Sequence, residues 1–275
     1  MPTTYSHYRF GSECLRSLPV AVRETLQPHR MLFDLGVQGP DIFFYYHPLK
    51  SNPVRDYGYA MHTHSAERFF QNALCHIQSL REEERAQAWA YLLGFLSHFV
   101  LDASCHGFIG RFEARSGVSH NRIEADYDRL LMARDGMEHP SSFQRSTLVP
   151  LDAASFEVIS GFFPFTAEEI AGAIRSQRRI LNLFTSSGTL KKKAVTAIIR
   201  GLKLSGHLDD LFVDKEPDPQ CRESREHLDQ CFAEARLRYP QLARSLNERM
   251  EHHTPLDPLF RSNFEEGFET IAMNE

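Results

Sequence analysis

The chain has 275 residues, of which 42% are hydrophobic and 24% charged, a composition typical of an ordinary globular protein. Its formal net charge of −5 argues against a protein that binds long nucleic acid through an overall positive field. Fourteen histidines are many for this length and give a first indication of metal chemistry. The five cysteines are scattered without a CxxC pair, so we expect free thiols in a reducing compartment.

The first residues, MPTTYSHYRFGSECLRSLP, lack the basic region and apolar run of a secretory signal. Together with the cysteine usage, this start predicts a cytoplasmic protein. Residues 88–109 are apolar enough to suggest a transmembrane helix, but His98 and Asp102 would then lie in hydrocarbon. We therefore expect this segment to be a buried helix in a protein core.

Helical periodicity dominates the chain, and the alternation typical of β-strands is scarce. Apolar residues recur at spacings of three and four in the segments 19–34, 64–80, 82–108, 119–134, 166–184, 189–203, 220–237 and 239–251. The sequence thus predicts an all-α, multi-helix bundle. We expect one domain over residues 1–275, with the functional motifs in 1–140 and helices that complete the bundle in 141–275. A second domain after residue 140 is the alternative, although no long linker marks it.

The apolar stretch GFLSHFVLDASCHGFI contains His98, Asp102 and His106, each four residues from the next. On an α-helix, residues four apart lie about 40° from one another, so the three side chains form one narrow stripe. An isolated ion in an apolar interior costs several kcal/mol unless another group compensates its charge. A hydrogen-bonded His–Asp pair would explain two such residues. Three in one stripe favour a divalent metal ion, because imidazole and carboxylate are its natural ligands.

A second element follows in the stretch SHNRIEADYD, where His120 and Glu124 are again four residues apart. By itself this pattern is more often a surface pair than a metal site. It becomes specific because it begins fourteen residues after the stripe. Two facing helices that each offer imidazole and carboxylate can build a multinuclear site in the core of a helical bundle.

These two elements resemble the core motif of the zinc-dependent phospholipase C family, whose fold is shared with the P1-type nucleases. Three upstream stretches strengthen the resemblance: HYRFG at 7–11, GVQGPDIFFY at 36–45 and MHTHSAERFF at 61–70. The similarity covers roughly the first half of the chain, and the ordered set of motifs is more specific than any one of them. It implies an all-helical domain with a multinuclear site of two to three zinc ions per chain.

The resemblance also implies ligand roles for the residues of both elements. His98 matches a ligand of one zinc ion, and Asp102 matches the carboxylate that bridges two ions. His106, His120 and Glu124 match the three ligands of another ion.

The remaining ligands come from the upstream stretches. One of His62 and His64 is expected to complete the first zinc site, and we favour His62 because MH directly precedes the helical SAERFF. His7 matches a histidine that binds a third ion together with the amine and carbonyl of the mature N-terminal residue. Removal of Met1 would make Pro2 that residue.

The activity implied by the resemblance is hydrolysis of a phosphodiester or phosphomonoester by a zinc-activated water, without a covalent enzyme intermediate. Asp41 matches an acid that sits at the cluster as a ligand or as the general base. Asp102 and His106 are four apart, as in the glycosylphosphatidylinositol-cleaving branch, whereas the secreted bacterial phospholipases have a spacing of six. We expect a phospholipid or another small phosphoester as the substrate. A nuclease or nucleotidase on the same scaffold, or a metal-stabilised binding protein without turnover, are the alternatives.

Two further segments each have two interpretations. The aromatic FFYYHP, residues 43–48, is expected in the core, and the alternative is a wall of the substrate cleft. The segment LKKKAVTAIIRGLKL, residues 190–204, is expected to be a solvated amphipathic helix. The alternative is a helix attracted to anionic lipid, which would give the protein a peripheral membrane contact.

Overall fold

The computed structural model describes residues 4–185, 188–201 and 208–268. Within these ranges the chain forms eleven α-helices and no strand, which confirms the predicted all-α fold. The helices are α1 Thr4–Ser17, α2 Val20–Leu26, α3 Arg30–Gly36, α4 Pro53–Thr63, α5 Glu67–Ser79, α6 Glu82–Ser116, α7 His120–Arg134, α8 Ala153–Ser160, α9 Ala167–Leu183, α10 Thr189–Gly201 and α11 Arg222–His252.

Helix α6 is the central element, and α1, α3 and α11 pack against it. By length and composition it is apolar enough to cross a membrane, but 89% of its most apolar window is buried inside the protein. Its contact with α3 is the tightest, because glycines let the two backbones touch. A Cβ added at Gly94 would lie 2.1 Å from the carbonyl oxygen of Phe33. Residues 88–109 therefore belong to a core helix.

One large hydrophobic core includes buried side chains from Tyr5 to Phe268. Helix α11, late in the chain, packs against both α6 and α1, and its Phe232 contacts Phe10 of α1 edge-to-face at 5.2 Å. The segments before and after residue 140 therefore share this core. These shared contacts support the assignment of residues 1–275 to a single domain, which stays a prediction.

Helix α10 packs part of its apolar surface against the protein, while Leu190 and Ile198 stay exposed. Val195 and Ile199 are buried in a small apolar cluster, and the ammonium group of Lys192 pairs with Asp214. Residues 202–204 of the predicted amphipathic segment lie outside the described ranges. This packing supports the interpretation as a solvated helix, and a peripheral membrane contact stays a prediction.

Helices α1, α4 and α8 have no counterpart among the predicted segments. In α4 the buried residues are Val54, Gly58 and His62, so this helix has no apolar repeat that periodicity would detect. The predicted helix 19–34 is wrong as a single element. It is interrupted by a 3₁₀ turn that contains Pro28, whose ring disfavours an uninterrupted α-helix.

The predicted helices 220–237 and 239–251 form one continuous helix, α11, which runs through Pro240. Proline removes one backbone hydrogen bond and usually ends or kinks a helix. Here fully buried side chains on both sides, Tyr239 and Leu242, pack in the same core and hold the two halves together.

Candidate metal centre

Eight of the predicted site residues meet at one place inside the bundle, where five elements converge. This ligand cluster consists of His7 from α1, Asp41 from the 3₁₀ helix Gly39–Tyr45, His62 from α4, His98, Asp102 and His106 from α6, and His120 and Glu124 from α7. Within it, three groups of three have ligand atoms no more than 4.8 Å apart: His7, Asp41 and His98; His62, His98 and Asp102; His106, His120 and Glu124. The structure thus assembles the residues, and their roles as metal ligands stay a prediction.

The carboxylate of Asp102 lies at the middle of the ligand cluster. Its Oδ2 is 2.9 Å from Nε2 of His98, and its Oδ1 is 3.5 Å from Nε2 of His106. Both histidines lie one turn away on α6, so the helix itself sets this spacing. Oδ1 also lies 3.2 Å from Nε2 of His7 on α1. Asp102 therefore faces three imidazoles, the position that a bridging ligand requires.

Asp41 lies opposite Asp102, on a turn that approaches α6 very closely. Its Oδ1 is 3.0 Å from Nε2 of His62, and its Oδ2 is 3.4 Å from Nε2 of His98. The turn begins at Gly39, which has a φ of +54° and a position where a Cβ would lie 2.3 Å from the ring of His98. Only glycine fits this backbone and this space.

The structure distinguishes between the two histidines of the stretch HTH. His62 is buried and contacts Asp41, whereas His64 is exposed and belongs to none of the three groups. The Nδ1–H of His64 instead donates to the backbone carbonyl of Ala60 in α4, at 2.6 Å. His62 is therefore the residue of this pair that the fold brings to the cluster.

Backbone contacts fix the tautomers of two of the imidazoles. Nδ1 of His62 lies 2.7 Å from the carbonyl of Gly58, and Nδ1 of His98 lies 3.0 Å from the carbonyl of Val37. Because a carbonyl only accepts, each Nδ1 carries the hydrogen and each neutral ring keeps its lone pair on Nε2. Both lone pairs face carboxylate oxygens, which are acceptors too. Such an arrangement needs a cation, either a proton or a metal ion, between the facing atoms.

The atoms of the cluster fit zinc as that cation. The buried atoms His98 Nε2, Asp102 Oδ2 and Asp41 Oδ2 have no hydrogen-bond partner, although each lies close to another polar atom. Zinc–ligand bonds of about 2.0–2.1 Å place two ligands of a tetrahedral ion about 3.3 Å apart. The separations between the facing atoms, from 2.9 to 3.5 Å, are close to that value.

The electrostatics of the ligand cluster show how strongly it attracts positive charge. Burial opposes ionisation of Asp102, but the neighbouring histidines, His106 foremost, outweigh it and hold the pKa of this carboxyl well below its usual range. Burial likewise opposes protonation of His106, yet the charges of Asp102 and Glu124 raise its pKa to about 10. Without metal, the cluster therefore binds protons at neutral pH.

Helix α7 completes the cluster with the predicted HxxxE pair. It starts at His120 because the hydroxyl of Ser119 accepts a hydrogen bond from the backbone N–H of Arg122 and caps the helix. Oε1 of Glu124 then lies 3.1 Å from Nε2 of His120 and 3.4 Å from Nε2 of His106. The other ligand proposed near His7, Pro2, lies outside the described residues, as does Met1.

A cleft of about 240 Å³ opens above the cluster. Its lining residues are Asp41, Phe44, Tyr59, His62, Thr63, His106, His120, Glu124 and Glu265. Phe44 thus forms part of a wall, whereas its neighbour Phe43 is fully buried in the core. Phe43 therefore agrees with the core interpretation, whereas Phe44 lines the cleft, and a role of that wall in binding substrate stays a prediction.

Two residues at the site were missed by the sequence analysis, because both come from the other end of the chain. They belong to the C-terminal strap, residues 257–268, whose Phe264 and Glu265 each donate a backbone N–H to the carbonyl of His62, at 3.1 and 3.2 Å. The ring of Phe264 packs against those of His62 and His98, with centroids 5.3 and 6.0 Å apart. No local motif marks the strap, so no signal in the sequence would have found it.

One of three comparisons with known proteins found a match, and it agrees with this geometry. The sequence model of the zinc dependent phospholipase C family matches residues 6–167, more than half of the chain. The matched region includes the whole ligand cluster and excludes the C-terminal strap. Neither the curated proteins nor the solved structures contain a match. The chain belongs to the zinc dependent phospholipase C family.

Proposed function

We propose that the protein is a phospholipase C-type phosphodiesterase that holds two or three zinc ions in the ligand cluster and cleaves a phospholipid or similar small phosphoester with water. One observation carries the proposal: the buried Nε2 of His98 has no hydrogen-bond partner, yet it lies 2.9 and 3.4 Å from carboxylate oxygens of Asp102 and Asp41, beneath a cleft that Asp41 lines. Zinc ions, when bound, lower the pKa of water towards neutrality and withdraw negative charge from phosphate oxygens.

The three groups of ligand atoms suggest which residues would hold each ion. One ion would be held by His62, His98 and Asp102, and a second by His106, His120 and Glu124. The remaining group shares His98, whose single Nε2 lone pair serves one ion, so a third ion would be held by His7 and Asp41. Neutral imidazole and carboxylate are preferred zinc ligands in every group.

Asp41 is the residue that we expect to activate the attacking water. This residue lines the cleft, and its Oδ1 and Oδ2 face His62 and His98. A carboxylate oxygen of Asp41 that no ion occupies could orient the water or take its proton as a general base. Among the described residues no serine or cysteine lines the cleft, so attack by water is favoured over a covalent intermediate.

The walls of the cleft favour a lipid over a nucleic acid. Phe44 and Tyr59 offer aromatic surface beside the cluster, and Tyr59 is half exposed, with 50% of its surface accessible. Glu265 adds a negative charge to the lining. Among the described lining residues no lysine or arginine compensates for that charge, which disfavours a polyanion.

The proposal is tested by metal content, measured by plasma mass spectrometry on purified protein, with hydrolysis of choline, ethanolamine, inositol and nucleotide esters as the second readout. We expect two or three zinc ions per chain, a loss of zinc and of hydrolysis in His98→Ala and Glu124→Ala, and neither loss in His252→Ala. His252 is an exposed histidine at the end of α11 and serves as the matched control. A folded protein without stoichiometric zinc would contradict the proposal.

A further inference from the structure

The first turn of α1 is held by a buried carboxylate that the proposed mechanism does not use. Asp128 on α7 is fully buried, and its Oδ1 accepts hydrogen bonds from the backbone N–H and the hydroxyl of Ser6, at 2.8 and 2.6 Å. Its Oδ2 accepts the backbone N–H of Tyr5 at 3.2 Å. These N–H groups belong to the start of a helix, where they have no partner within the helix itself. Asp128 therefore caps α1 from a different helix.

The residue that follows this anchored turn is His7, whose Nε2 lies 3.2 Å from Oδ1 of Asp102. Imidazoles that bind metal usually donate their other ring N–H to a fixed partner, which sets the ring's orientation. His62 and His98 have such partners in backbone carbonyls. Nδ1 of His7 is buried without a hydrogen-bond partner. Its ring is oriented by stacking on His98, with centroids 4.1 Å apart, and by the backbone of α1.

The first turn of α1 is held by apolar and by polar contacts. Tyr5 is buried in the hydrophobic core, as are Phe10 and Cys14 further along, whereas Thr4 and Ser6 bury polar groups. Asp128 makes three of the polar contacts, and two of them bind the backbone directly.

We propose that Asp128 is a positioning residue that fixes His7 at the metal centre by capping α1 across the helix interface. The inference rests on the proposed function only in that the ligand cluster binds zinc. Asp128 also continues the four-residue repeat of His120 and Glu124 along α7. One helix therefore supplies two of the three ligands of one ion and the anchor of a ligand for another.

A matched control is available on the same pair of helices. Asp135 lies at the C-terminal end of α7. Its carboxylate accepts hydrogen bonds from the hydroxyl of Tyr5 at 2.7 Å and from the guanidinium of Arg9 at 2.8 Å. Asp135 therefore links α1 to α7 through side-chain hydrogen bonds only, whereas Asp128 binds the backbone N–H groups of the first turn.

The test is a double-mutant cycle on metal binding by the full chain. Zinc affinity is measured by competition with a chelating dye, and the visible spectrum of the Co²⁺-substituted protein reports the coordination of each ion. We expect Asp128→Asn to weaken one ion about 10–100-fold, the range for a group that orients a ligand. Its Co²⁺ spectrum should shift towards that of His7→Ala, and the double variant should bind no worse than His7→Ala. Asp135→Asn should match the wild type.

Several results would overturn the proposal while leaving the proposed function intact. They are wild-type zinc binding in Asp128→Asn, additive losses in the double variant, or an equal loss in Asp135→Asn. If Asp128→Asn does not fold, Ser6→Ala removes one of the three hydrogen bonds and should still weaken the same ion, and wild-type affinity in that variant would count against the proposal. Absence of zinc from the wild-type protein would refute the proposed function together with this inference.

Discussion

Replacement of Gly39 by alanine tests whether the turn before Asp41 sets the position of His98. The new Cβ would lie 2.3 Å from two carbons of the His98 ring, whereas ordinary contacts begin at 3.4 Å, so the ring must move by about 1 Å. His98 is fully buried, and overpacking of this kind costs about 1–3 kcal/mol. The left-handed backbone, with φ of +54°, adds about 1–2 kcal/mol for any residue with a Cβ.

The displaced ring should bind metal poorly, because zinc tolerates errors of only about 0.2 Å in its ligand distances. We expect Gly39→Ala to weaken the ion at His98 about 100-fold. Gly117→Ala is the matched control, because Gly117 also has a positive φ, of 75°, but no atom within 4 Å of an added Cβ. Gly117→Ala should lower the free energy of unfolding only by the cost of the backbone strain, and it should bind zinc as the wild type does.

The assays are urea unfolding of both variants in chelator and zinc titration of both in its absence. Gly39→Ala should be less stable than Gly117→Ala by about 1–3 kcal/mol and should alone lose zinc affinity. Wild-type zinc binding by Gly39→Ala would refute the reasoning, as would an equal loss in the control.

Three further predictions concern the ligands, the protons and the cleft. His62→Ala should lose a zinc ion while His64→Ala keeps the wild-type number, and metal analysis showing the reverse would reassign the ligand. Since neighbouring carboxylates raise the pKa of His106 to about 10 without metal, zinc must displace its proton at pH 7. Zinc affinity should therefore rise with pH from about 6.5 to 10, whereas the stability that protonated His106 gives the metal-free protein is complete below about 6.5 and is lost towards 10. Flat titrations over this range would contradict the assignment. Glu265→Gln should lower KM for anionic esters up to about fivefold with kcat unchanged, since it removes one exposed charge from the cleft. Its neighbour Glu266, which does not line the cleft, should show no effect in steady-state kinetics when changed to Gln.

The sequence by itself determined the parts of the site that lie within one helix. His98, Asp102 and His106 share a face because the helical period brings every fourth residue to one side. The same reasoning places His120 beside Glu124 on α7. Asp128, one turn further on, continues that repeat and was readable in principle, but its partners on α1 were not.

Only the tertiary structure decided which elements meet. His62 and His64 are two residues apart and chemically identical, and the packing of α4 buries one and exposes the other. The buried face of α4 is glycine, valine and histidine, so this helix shows no apolar repeat and was not predicted. Phe264 and Glu265 reach the site from about 200 residues downstream of His62, through hydrogen bonds to its carbonyl. The physical reason is that helical periodicity depends only on residues that are near one another in the sequence. Contacts between distant segments depend instead on how all the buried side chains pack together.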